Sequence, residues 1–70
     1  MRYLILIERT NSGFSAYSPD LPGCAASGAT WGEVERAMRE AVELHLEGLR
    51  ASGQPVPPPS TSASYVEVAA

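Results

Sequence analysis

One histidine, one cysteine and three carboxylates near predicted strand ends are the side chains of this 70-residue sequence that invite a chemical reading. His45 lies near the middle of a helical apolar stripe, between Met38, Ala41 and Leu49. A general base needs a nucleophile or an acid within hydrogen-bond reach. The helical neighbours of His45 are hydrocarbon, so it reads as a core or interface residue filling an aromatic-sized slot. Cys24 follows Pro22-Gly23, with no basic residue close in sequence to favour its thiolate; a small buried hydrophobe is the better reading. Glu8, Asp20 and Glu67 could be imagined around a divalent cation, as in nuclease folds. They form no spaced motif, and Asp20 has an ordinary use in stabilising a turn. Gly23, Gly28 and Gly32 follow no phosphate-loop spacing. No catalytic residue, metal ligand or cofactor site is expected; the enzyme alternative is a minimal metal-dependent hydrolase built on Glu8 or Asp20.

Charge narrows the partners. Five arginines, no lysine and eight acidic residues give a net charge of -3. Proteins that bind nucleic acid unaided cluster basic charge against phosphates. Here the arginines are scattered at 2, 9, 36, 39 and 50, and the helical ones sit among glutamates. Direct nucleic-acid binding is therefore not expected, and a basic protein is the more natural partner. The apolar run Tyr3–Ile7 is too short for a signal-peptide core or a membrane span. A lone cysteine cannot form an internal disulfide, so a cytoplasmic location is expected.

The elements follow from period and punctuation. Tyr3–Ile7 reads as a strand, the polar loop around Asn11 and Gly13 as a hairpin turn, and Phe14–Ser18 as a second strand. Phe14 and Ala16 share one face of it, Ser15 and Tyr17 the other. The first strand is apolar on both faces, with Tyr3, Ile5 and Ile7 on one and Leu4 and Leu6 on the other. An edge strand facing water should not look like this; it is either central in a covered sheet or part of an oligomer interface. One domain of this length with no disulfide and no metal usually needs association, so the second covering layer is expected from another molecule.

Pro19 closes the second strand, and Leu21-Pro22-Gly23-Cys24 fits a type II turn. Cys24–Ser27 could add a third strand. Thr30 and Glu33 make a capping box for a helix over Trp31–Ala51, about 31 Å long. Its apolar positions are Val34, Ala37, Met38, Ala41, Val42, Leu44, Leu46 and Leu49. Trp31 could staple the helix to the sheet or stand out as a binding anchor; its place on the apolar side favours the core. Pro55–Pro59 reads as a rigid strap or a recognition ligand, the strap being the plainer account. Tyr65-Val-Glu-Val reads as a last strand returning to the sheet. The fold class is α+β, in the order β-β-β-α-β, with one long helix on an antiparallel-rich sheet.

The stretch Phe14-Ser-Ala-Tyr-Ser-Pro-Asp-Leu-Pro-Gly-Cys24, then Gly28-Ala-Thr30, the helix through Ala41, Leu46 and Leu49, and the exit Gly53-Gln-Pro-Val-Pro-Pro-Pro-Ser60 resemble the HicB family of bacterial antitoxins. The resemblance covers most of the chain. It implies the same β-β-β-α-β arrangement, no working catalytic carboxylates, and assembly as dimers or tetramers. It also implies a partner: HicA, a small basic ribonuclease that cleaves messenger RNA and is neutralised when its catalytic surface is covered. Many members carry a further DNA-binding segment. Ala70 ends this chain first, so residues 1–70 are expected to be a single HicB-like domain without direct operator binding. The alternative is a solitary HicB-like oligomer with a structural or regulatory role and no toxin. The expected partner contacts are those the proline turn would present, Tyr17, Pro19, Asp20 and Pro22, with Trp31 nearby.

Overall fold

The computed structural model describes residues 1–69. Strand β1 spans Leu6–Thr10, β2 Gly13–Tyr17 and β3 Ala25–Gly28, and helix α1 spans Trp31–Ala51. The sheet is antiparallel throughout in the order β1-β2-β3, which leaves β1 and β3 as edges. One helix on a small antiparallel sheet is the α+β fold that the sequence pattern predicts.

Directly opposed residues of an antiparallel pair share a face. Ile7 pairs with Ala16, and Ala16 with Ala26, so these three form a row beneath the helix. Two alanines in that row let Val34 and Met38 sink onto the sheet, and both are fully buried. Ala16, Leu21, Cys24, Val34 and Met38 make the core, with Tyr3, Ile5, Phe14, Ala41, Val42 and Leu46 packed around it. Gly28 permits the same close approach at the helix start, where a Cβ would stand 2.6 Å from the Val34 amide nitrogen.

Both helix ends are capped by local chemistry. Thr30 Oγ1 accepts a hydrogen bond from the Glu33 amide at 3.1 Å. The Glu33 carboxylate reaches back one residue further than a standard capping box, accepting from the Ala29 amide at 3.0 Å. At the other end the Gly53 amide donates to Arg50 and the Gln54 amide to Leu49, with Gly53 at φ 69. This is a Schellman stop, which satisfies carbonyls that the helix itself leaves open.

Three parts of the fold depart from expectation. β1 begins at Leu6; Tyr3–Ile5 continue its line without ladder pairing. Tyr65–Val68 form no strand, and Tyr65 is 99% exposed. The strap explains this, because it delivers the tail beside the sheet and not onto it. The helix also overhangs its platform. A five-residue strand is about 17 Å long, against about 31 Å for α1. His45, Leu46 and Leu49 are consequently only half-buried, and Leu44, well off the centre of the stripe, is 68% exposed.

Candidate functional site

The segment between β2 and β3 folds into two linked turns. The Leu21 amide donates to the Ser18 carbonyl at 3.2 Å and the Cys24 amide to the Leu21 carbonyl at 3.0 Å. Gly23 sits at φ 82, where the third residue of a type II turn must lie. The Ser18 amide closes the base by donating to the Cys24 carbonyl. Leu21 points inward and is fully buried, so the loop is pinned to the core by its own apex. Pro19 and Pro22 are left exposed on the outside, with Tyr17 beside them at 43% exposure. Two prolines and a hydrogen-bonded base make a stiff projection, which loses little entropy when it is covered.

Asp20 has a second task that sequence reading missed. Its carboxylate accepts four hydrogen bonds from a segment forty residues away: the Ser60 amide at 2.9 Å, Ser60 Oγ at 3.1 Å, the Thr61 amide at 3.0 Å and Thr61 Oγ1 at 2.7 Å. These bonds, those of Thr61 foremost, stabilise the ionised form and hold its pKa at about 2. Tyr3 makes a second stitch, its hydroxyl donating to the Pro57 carbonyl. The proline run is thus a strap fastened at two points to the N-terminal segment and the turn. The only sequence signal for this was the pair of small hydroxyl residues directly after the prolines.

The structure brings four of the five expected contact residues together and places the fifth elsewhere. Tyr17, Pro19, Asp20 and Pro22 cluster at the end of β2. Trp31 lies by Phe14 at the start of that strand, on the helix side of the sheet, whereas Tyr17 faces the other way. Three residues of strand put about 10 Å between the two positions. Trp31 is not a core residue: it is 53% exposed and meets Phe14 edge-on, with ring centroids 6.0 Å apart. The Arg9 guanidinium lies 5.7 Å from the Phe14 centroid, which extends a cation–aromatic surface across the hairpin.

The candidate chemical groups are dispersed. Cys24 is buried, and burial pushes its thiol above the ordinary range, away from nucleophilic use. His45 is half-buried on the overhang, Glu8 is exposed on β1, and Glu67 is in the tail. Among the described residues no group of three His, Cys, Asp or Glu side chains could hold a metal ion. No described helix is long and apolar enough to cross a membrane.

Residues 3–69 match the family model described as the HicB_like antitoxin of bacterial toxin-antitoxin system. The chain belongs to the HicB-like antitoxin family. It is similar to an uncharacterized 14.9 kDa protein of Haemophilus phage HP1, at 33% identity over 94% of this chain and 50% of the phage protein. It is 41% identical to a UPF0150 protein of Synechocystis over 79% of this chain and 71% of that protein. Among solved structures it resembles a chain of a HicA3 and HicB3 toxin-antitoxin complex, with a TM-score of 0.73 and 38% identity over 84% of this chain and 70% of that one. The crystal structure of antitoxin HicB3 gives a TM-score of 0.71 at 37% identity, covering 86% of this chain and 44% of the other. The chain thus spans half of the phage relative and less than half of that HicB3 chain.

Proposed function

We propose that this HicB-like chain is a non-enzymatic binding module that neutralises a small basic mRNA-cleaving toxin of the HicA type by covering its active surface. The observation that carries the reading is the likeness, at 38% identity and a TM-score of 0.73, to a chain solved in a HicA3 and HicB3 complex. The rigid turn is the part of the surface best prepared for contact. Tyr17, Pro19 and Pro22 offer apolar area already fixed in place, and Asp20 anchors their base. Trp31, with Phe14 and Arg9, forms a second patch that would meet a different part of the partner. An acidic chain of net charge -3 suits a basic partner electrostatically. The module acts in the cytoplasm as a homo-oligomer, a dimer or tetramer, and without contacting nucleic acid directly.

Co-expression with any small basic protein encoded beside it tests the proposal. The expected result is a co-purifying complex and rescue of growth, both weakened by Tyr17→Ala combined with Pro22→Ala in a chain that still folds. Absence of a complex together with absence of rescue would overturn toxin masking and leave the solitary oligomer.

A further inference from the structure

The tail after the strap runs beside the open edge of the sheet without joining it. A cavity of about 520 Å³ is lined by Arg2, Tyr3, Leu4 and Ile5 on one side and by Thr61, Ser62 and Ala63 on the other. Further along, a cavity of about 340 Å³ is lined by Leu4–Ile7 and by the tail residues Ala63 and Tyr65, together with Trp31 and Glu35. Residue numbers rise together on both walls, so tail and edge point the same way across a gap. Among the described residues, none of the backbone hydrogen bonds outside the regular elements bridges that gap. Upstream of the gap the strap is fastened to Tyr3 at Pro57 and to Asp20 at Ser60 and Thr61.

We propose that the gap is the seat of a strand from a second copy of this chain, namely its Tyr65–Val68. Two copies would exchange tails about a two-fold axis, giving the continuous order β3-β2-β1-tail′-tail-β1′-β2′-β3′, where primes mark the second copy. A two-fold axis perpendicular to the strands makes the adjacent tails antiparallel. Each incoming tail is then antiparallel to the β1 it joins, and the whole sheet keeps one sense.

The chemistry of both surfaces fits this occupant. Tyr65-Val-Glu-Val is rich in strand-forming residues and alternates, with Val66 and Val68 on one face and Tyr65 and Glu67 on the other. Tyr65, Val66 and Val68 are nearly bare in the single chain. The receiving edge, Leu4–Ile7, carries neither the lysine nor the proline that guards an exposed edge against pairing. Arg2 at the end of the gap and Glu67 in the tail are of opposite sign. Burying Tyr65 of both copies removes on the order of 300–500 Å² from water. The valines and the apolar edge carry the total towards the roughly 1,000 Å² of a specific interface. This deepens the oligomer part of the reading above and is independent of the toxin.

Light scattering on the intact chain at micromolar concentration is expected to give twice the 7.4 kDa chain mass. Deleting residues 65–70 is expected to halve it while the helical circular dichroism persists. A mixed sample of isotope-labelled and unlabelled intact chain supplies a readout that requires no variant to fold. Isotope-filtered NMR should show contacts between residues 65–68 of one copy and 2–7 of the other. A monomer mass for the intact chain would overturn both the exchange and the oligomer reading. A dimer with no intermolecular contacts from residues 65–68 would overturn the exchange alone.

Discussion

Leu21→Ala offers the sharpest test of the view that the proline turn is held from beneath. The side chain is fully buried and is one of the five residues of the buried core. Removing a buried leucine to alanine costs about 2–5 kcal/mol, with the upper values where the site cannot collapse. Here collapse is resisted, since Pro19, Pro22 and the hydrogen bonds from Leu21 to Ser18 and from Cys24 to Leu21 fix the backbone above the void. We therefore expect at least about 3 kcal/mol. A domain of 70 residues has a total stability of roughly 3.5–10 kcal/mol at the usual 0.05–0.15 per residue. At about 4–8 °C per kcal/mol for a domain of this size, the melting temperature should fall by roughly 12–24 °C. The assay is thermal unfolding by circular dichroism at one fixed protein concentration, since the proposed association would make the midpoint concentration-dependent. Pro22→Ala, an exposed change in the same turn, should cost no more than about 1 kcal/mol, chiefly through the unfolded chain. A Leu21→Ala shift below about 4 °C, or one equal to that of Pro22→Ala, would refute the argument.

Two further predictions follow from the geometry around the turn and the helix start. Asp20 has a folded pKa of about 2 against an ordinary 3.8, so its contribution is complete above 3.8 and disappears as pH falls through about 2. Asp20→Asn should flatten the pH dependence of stability in that window, as measured by urea unfolding at pH 2 to 5, and should speed amide exchange at Ser60 and Thr61. Gly28→Ala should cost about 1–3 kcal/mol by overpacking, because the new Cβ meets backbone at 2.6 Å. Gly32→Ala meets nothing within 4 Å and should be neutral or stabilising by up to about 1 kcal/mol; chemical denaturation of the pair reads the difference.

Local signals carried most of this fold. The hairpin, the Leu21-Pro22-Gly23-Cys24 turn, the Thr30 cap and the Gly53 stop are each written within four or five residues, and each stands where those residues put it. The inward face of β2 was equally legible, because Phe14 and Ala16 alternate with polar neighbours. What could not be read depends on distance along the chain. Asp20 lies forty residues before Ser60, and no pattern in either segment names the other. Trp31 falls on the apolar side of the helical wheel yet is half-exposed, since it stands at the outermost turn of α1 and beyond the buried Val34. Tyr65–Val68 has strand composition, but composition says nothing about which edge, or whose, it pairs with. The proline turn was legible from its own residues; the placement of Trp31 at the far end of β2 needed the sheet register.

The two stitches of the strap span 54 and 40 residues, whereas the hairpin and helix ends close over a handful. Ordering a long loop costs entropy that grows with the logarithm of its length, so the strap should fasten after the hairpin and helix have formed, and loosen before they melt. The molecule would then breathe from one seam: residues 54–69 peel away first, baring the turn base and the N-terminal segment, while the layer of helix on sheet stays shut.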